Sequence, residues 1–214
     1  MISKRHQCMI YDGPPTVNMA RLVPLFLQKL EECYRCMFLG SPTMVARMQY
    51  ELAAAGLKVS DLVEKGDLIL SSSQGHLLKG HFDTPRMLGM LKEAVDQALQ
   101  DGFKGLWATG DMTWEFGSEK NLSKLLDYEC GLEELFQTTP ALSGICQYHR
   151  ETLPGHIMWN ALLTHPSVFI NHTLQRVNPY YVPPDALRKL KQDTRQPVDI
   201  DRIIREITHP EAAA

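Results

Sequence analysis

Short apolar runs and amphipathic stretches alternate along most of this chain. Residues 6–11 read as a first strand, and apolar positions at helical spacing follow over 17–32 (Ala20, Val23, Phe26, Leu27, Leu30). Pro24 either kinks that helix or marks a late start. Residues 36–39 form a short buried strand. Ser41 and Pro42 are an N-cap and a first-turn proline, and Met44, Val45, Met48, Leu52 and Ala55 line one helix face before Gly56 stops it. A strand at 67–70 leads into a polar loop over 71–80. Asp83-Thr84-Pro85 opens a further helix carried by Met87, Leu88, Leu91, Val95, Ala98 and Leu99, with Gly102 at its end.

The pattern continues with a strand at 105–109, a helix at 121–136, a strand at 142–148, a helix at 156–163 and a strand at 168–170, beside which 174–177 can pair. This alternation predicts an α/β fold: three layers, with a central, mostly parallel sheet between helices. The composition shifts at Pro183-Pro184. Residues 184–214 read as a charged helical tail, with Leu187, Leu190, Ile200, Ile203, Ile204 and Ile207 as anchors. The tail either docks on its own domain or serves as a signalling or dimerising helix.

Composition narrows the field. Net charge is −3 with acids and bases interspersed, so no basic face points to direct nucleic-acid binding. No apolar run approaches the ~18 residues of a membrane helix, and residues 1–6 lack a signal-peptide core. The chain reads as cytoplasmic. Five cysteines there imply reduced thiols. Cys33 and Cys36 have C-x-x-C spacing, but they straddle a helix end and a strand start and read as two separately placed residues. Ten methionines fall at apolar helical positions and read as core filler.

The turn after the first strand, Asp12-Gly13-Pro14-Pro15-Thr16, stands where a nucleotide-binding α/β protein carries its phosphate loop. Such a loop needs glycines, backbone N–H groups and a Lys. This turn has one Gly, no Lys, and two prolines that donate nothing. It reads as a degenerate phosphate loop, which moves the expectation from ATPase to sensor.

Several segments carry a family resemblance: 6–11, 105–114 (GLWATGDMTW), 146–150 (CQYHR), 164–166 (THP) and 178–181 (NPYY). In this order and spacing they resemble the MEDS sensory domain, named for methanogens, methylotrophs and a dichloromethane-responsive regulator. The resemblance spans about residues 5–183. It implies a fold distantly similar to RecA- and KaiC-like ATPase domains, and a role in sensing, with small hydrocarbon-like compounds as the implied ligands. Domains of this family occur beside histidine-kinase, anti-sigma and DNA-binding modules. A chain of this length has no room for an output domain of its own. The expected output is therefore a regulatory protein partner of histidine-kinase, anti-sigma or transcription-factor type, with a homo-oligomer as an alternative.

Ligands of open α/β sheets bind beyond the carboxyl ends of the strands. The strand ends supply Tyr11, Asp12, Thr109, Asp111, Gln147 and Tyr148 as the candidate ligand site, together with His149. Asp111 follows an apolar strand, where a Walker-type acid holds Mg²⁺, and this keeps residual nucleotide binding or weak ATPase activity as the alternative function. Glu115 and Glu129 are candidate general bases without a nucleophile placed by sequence. They read as a solvated helix face or as buried hydrogen-bond partners, so no catalytic residue is assigned. Trp107, Trp114, Tyr148 and Trp159 either wall an apolar pocket or fill the core. Among the eight histidines, His76, His81, His149, His156 and His165 show no H-x-x-x-H or H-E-x-x-H spacing. His165 before Pro166 reads as a turn residue whose ring satisfies backbone groups. No metal is expected, and no cofactor can be named.

Overall fold

The computed structural model describes residues 5–72, 77–78, 81–112, 124–171, 173–175, 178–189 and 198–209. The elements in chain order are β1 (His6–Tyr11), α1 (Pro15–Glu31), β2 (Arg35–Leu39), α2 (Pro42–Ala54), α3 (Val59–Glu64) and β3 (Leu68–Ser71). A small hairpin, β4 (Leu77–Leu78) and β5 (His81–Phe82), precedes α4 (Thr84–Gln100), β6 (Leu106–Asp111) and α5 (Leu125–Thr138). The rest are β7 (Leu142–His149), α6 (Gly155–Thr164), β8 (Ser167–Ile170), β9 (Thr173–Gln175), α7 (Pro184–Lys189) and α8 (Ile200–Thr208).

The main sheet runs β3-β2-β6-β7-β1-β8-β9. Its first six strands are parallel, and β9 closes the edge antiparallel to β8. Helices cover both faces, consistent with a three-layer RecA-like arrangement. On one face α1 and α2 bury Met19, Leu22, Phe26, Met48 and Leu52 against Met9, Phe38, Trp107 and Ile145. On the other, Leu91 and Val95 of α4, Leu132 and Phe136 of α5, and Met158 and Leu162 of α6 meet Ile10, Leu106 and Leu142. Ile203, Ile204 and Ile207 of α8 are buried in this second core, and Leu187 of α7 packs with Cys130 and Leu163. Among the described residues, no helix is long and apolar enough to cross a membrane.

The caps follow the sequence signals. Ser41 accepts from the Met44 N–H, and Asp83 accepts from the Arg86 N–H. Two expectations change. Helix α1 starts at Pro15 and runs through Pro24, whose ring lies on the exposed side, so Pro24 marks no late start. The stretch read as loop over 71–80 contains β4, paired with β5. Helix α3 was not foreseen; it buries no residue fully, so its periodicity is weak.

The strands pack closely where β6 passes β7. A Cβ on Gly144 would stand 2.2 Å from the Ala108 carbonyl oxygen. Gly144→Ala is therefore expected to lower stability by about 3 kcal/mol, the upper end of overpacking costs, measured by urea denaturation. Gly89 lies inside α4 with open space around its Cα. Gly89→Ala is expected to raise stability by about 0.5–1 kcal/mol by the same measurement.

Candidate functional site

Strands β1, β6 and β7 end side by side, and pairing in parallel register sends their odd-numbered side chains to the α1 face. Tyr11, Thr109, Asp111 and Gln147 consequently share that face. The Tyr11 hydroxyl donates to Asp111 Oδ2 (3.0 Å). Asn18 of α1 donates to Gln147 Oε1 (3.0 Å), Gln147 donates to Thr109 Oγ1 (2.9 Å), and Thr109 donates to the Ile145 carbonyl (2.8 Å). All five side chains are buried. Burial raises the Tyr11 pKa, and the Asp111 charge raises it further, so Tyr11 remains a phenol. The His149 ring stacks on Tyr11 at 5.0 Å between centroids. Asn18 Oδ1 is a buried acceptor without a hydrogen-bond partner.

Tyr148 takes no part in this group. As the neighbour of Gln147 on one strand it faces the opposite layer, where its hydroxyl donates to Glu129 Oε1 (2.5 Å).

Asp12 lies in the turn that follows β1. The chain after β1 enters α1 on one face, whereas the chain after the adjacent β7 enters α6 on the other, so a crevice opens between them. The protein's own groups fill it. The Asp12 N–H donates to Asn171 Oδ1 (3.0 Å), and the Gly13 N–H (φ +78°) donates to Glu151 Oε1 (3.1 Å). Pro14 and Pro15 have no N–H to offer. The Asp12 carboxylate faces Arg150 at 3.3 and 3.4 Å, and Arg150 also pairs with Asp201 of α8.

A second polar centre is buried on the opposite face. His6 of β1 donates through Nδ1 to Glu133 Oε2 (2.9 Å), while its Nε2 lies 3.3 Å from Glu129 Oε2. Cys146 Sγ lies 3.6 Å from His6 Nε2 and 3.7 Å from Glu129 Oε2. His165 Nδ1 donates to the Ala161 carbonyl (2.7 Å), and its Nε2 lies 3.4 Å from Glu129 Oε2. Burial works against the His6 imidazolium, yet Glu129 and Glu133 outweigh it and hold the pKa above the ordinary histidine value. Burial, reinforced by His6, pushes His165 down to about 4. An apolar cavity of about 20 Å³ borders Cys146 among Ala108, Tyr128, Leu132 and Phe136, room for one water-sized molecule.

Glu129 is a buried hydrogen-bond partner, and the His165 ring does bind a backbone carbonyl. Trp107 is core, edge-on to Phe26, whereas Trp159 is partly buried against Tyr180. Cys33 is an exposed thiol and Cys36 a buried one. Trp114, Glu115, His76 and Leu190 fall outside the described residues, as does the side chain of His81. Asn18, Arg150, Glu151, Asn171, His6 and Glu133 were not singled out in the sequence. Asn18 and Glu133 carried a signal, a polar residue on the buried face of a helix. The others sit at strand starts and loops, with no periodicity to mark them.

A family model described as the methanogen/methylotroph, DcmR sensory domain (MEDS) matches residues 5–166, most of the chain. No curated protein matches.

The Tyr11–Asp111 hydrogen bond is testable apart from function. Tyr11→Phe leaves a buried carboxylate without that donor and is expected to cost about 1–3 kcal/mol, read as a lower denaturation midpoint at unchanged slope.

Proposed function

We propose that this chain, which belongs to the MEDS sensory-domain family, is a non-catalytic sensory and regulatory domain that binds a small molecule and signals through a partner protein. The observation that carries the reading is the filled crevice between β1 and β7. Where a nucleotide-binding relative of this architecture would present N–H groups to phosphate, the Gly13 N–H already serves Glu151, and two prolines follow. A triphosphate brought there would meet the carboxylates of Asp12 and Glu151 with Arg150 already paired.

A small, weakly charged ligand suits the neighbouring group better. Tyr11, Thr109, Asp111 and Gln147 supply donors and acceptors at the strand ends, Asn18 adds an unused acceptor, and Asp12 stands at the rim. The family association points to small hydrocarbon-like compounds. Binding that shifts Asp12 would be felt at Arg150, and through Arg150 at Asp201 of α8. The output surface on this reading is α8, toward a kinase, anti-sigma or transcription-factor partner or a second copy of the chain.

Asp111, a buried acid at the end of β6, favours the second reading, residual nucleotide binding or weak ATPase activity. Its Oδ2 is engaged by Tyr11, which counts against a metal-holding role.

A phosphate-release assay with Mg-ATP is expected to give background rates. Turnover on the order of ~1 s⁻¹ that disappears in Asp111→Ala would establish the second reading instead. Native mass spectrometry of freshly purified protein, followed by a thermal-shift screen of small alcohols, amines and halogenated hydrocarbons, tests the first. A hit should raise the melting temperature of the wild type and lose that effect in Asn18→Ala; a hit unaffected by Asn18→Ala removes the site from the strand ends. Arg150→Ala is expected to change stability by no more than about 1 kcal/mol while altering self-association or partner recovery in sedimentation and pull-down measurements.

A further inference from the structure

We propose that His6 Nε2, His165 Nε2, Glu129 Oε2 and Cys146 Sγ form a tetrahedral site for one divalent transition-metal ion, zinc by its ligand chemistry. The site lies under the β1–β7 pair on the face away from α1. It is separate from the strand-end group, and either proposal can fail without the other.

The four ligand atoms lie within 4.8 Å of one another, and each residue is buried. Four of the six spacings among them match the edges of a tetrahedron around a metal, and the other two, from His165 Nε2 to His6 Nε2 and to Cys146 Sγ, stay within the same 4.8 Å. With metal–nitrogen and metal–oxygen bonds near 2.0–2.1 Å and metal–sulfur near 2.3 Å, tetrahedral edges are about 3.3 Å for nitrogen to oxygen and about 3.5–3.6 Å where sulfur takes part. The corresponding distances are 3.3 Å (His6 to Glu129), 3.4 Å (His165 to Glu129), 3.6 Å (His6 to Cys146) and 3.7 Å (Glu129 to Cys146).

Proton placement points the same way. A ring nitrogen 2.7 Å from the Ala161 carbonyl oxygen has to be a donor, so the neutral His165 ring turns a bare lone pair at Nε2 toward the Glu129 carboxylate. That nitrogen is fully buried and has no hydrogen-bond partner. Two acceptors face each other across 3.4 Å, an arrangement that a cation between them turns from repulsive to attractive. His6 repeats the geometry: its outer nitrogen donates to Glu133, leaving Nε2 for the same centre. A carboxylate or carbonyl on the outer nitrogen of a ligating histidine is the usual second-layer support, fixing the tautomer and raising ligand basicity.

The charges also balance. A thiolate from Cys146 and the Glu129 carboxylate neutralise a dication, which an apolar layer tolerates far better than two buried anions. Tyr148 occupies the second carboxylate oxygen and holds Glu129 to a single-oxygen contact. A set of two imidazoles, one thiolate and one carboxylate in tetrahedral array suits zinc, and four protein ligands mark a structural rather than an open site. A proton alone, placed as imidazolium on His6 between Glu129 and Glu133, satisfies that pair of contacts but leaves His165 Nε2 facing a carboxylate.

The test is elemental analysis of the purified full-length chain, then cobalt titration of the chelator-treated protein. One equivalent of bound zinc is expected. Cobalt should give the visible absorption of a tetrahedral centre with a thiolate-to-cobalt charge-transfer band. That band should survive Cys33→Ala, vanish in Cys146→Ala, and require about 10–100-fold more cobalt in Glu133→Gln. Because Cys146→Ala could perturb folding, the wild type supplies an independent measurement: chelation should lower its melting temperature, and one equivalent of zinc should restore it. Trace metal only, with no cobalt band and no response to chelation, overturns the proposal. So does a charge-transfer band that persists in Cys146→Ala or is lost in Cys33→Ala.

Discussion

Glu129 is the constraint around which the layers are set. An ionised carboxylate taken out of water costs several kcal/mol unless its oxygens are met by partners of good geometry. The four partners of Glu129 come from three places in the fold: Tyr148 and Cys146 from β7, His6 from β1, and His165 from the turn after α6. Helix α5 therefore cannot slide or rotate on the sheet without exposing a charge to an apolar layer. The Phe136 ring, stacked on His6 at 4.6 Å, closes the same arrangement from the helix side. Hydrophobic burial in this layer supplies the bulk of the attraction but is tolerant of register. The polar centre supplies the register.

The two polar centres stand back to back through the sheet. Along β7 consecutive side chains are dealt alternately: Cys146 and Tyr148 to the Glu129 centre, Gln147 and His149 to the strand-end group. β1 does the same with His6 on one side and Tyr11 on the other. Strands pinned from both faces are poor candidates for motion. A change of state is therefore more readily carried by what leaves these strands, the Asp12–Gly13 turn and the Arg150–Glu151 segment, than by the sheet itself. A rigid lower centre and an adjustable upper rim are the division a sensor needs, since a ligand shifts an equilibrium only where two arrangements of similar free energy exist.

The order and type of most elements were legible because burial follows periodicity. Val45, Met48 and Leu52, or Met87, Leu91, Val95 and Ala98, mark their helix faces without ambiguity. The turn chemistry after β1 was legible too, since proline's missing N–H is a property of the residue. Facing was harder. All positions of β7 from Gly144 to His149 are buried, so hydropathy does not distinguish its two sides. Strand ends alone grouped Gln147 with Tyr148, although the two-residue period of a strand already separates them. The Glu129 centre was least legible. Its members come from β1, α5, β7 and the end of α6, and no spacing rule joins them. One hint was present: Glu129 shares a helical stripe with Leu125, Leu132 and Phe136, and a carboxylate on an apolar stripe has to find partners inside.

The link to α8 is weak in its chemistry, which is what the proposed signalling role would require of it. Asp12, Arg150 and Asp201 are each partly exposed, and exposed ion pairs contribute little, about 0–1 kcal/mol. Helix α8 is held instead by Ile203, Ile204 and Ile207, whose burial outweighs the ion pairs several-fold. Loss of Arg150's contacts would thus leave the helix docked but free to adjust its N-terminal end, where Asp199 caps the Arg202 N–H beside Asp201. A stronger connection would lock the two ends together and resist a ligand of modest affinity. A helix held by apolar burial alone would not register a change at the crevice. On the proposed reading, an apolar anchor with a charged latch would let a small free-energy change at Asp12 alter the surface of α8 without unfolding it.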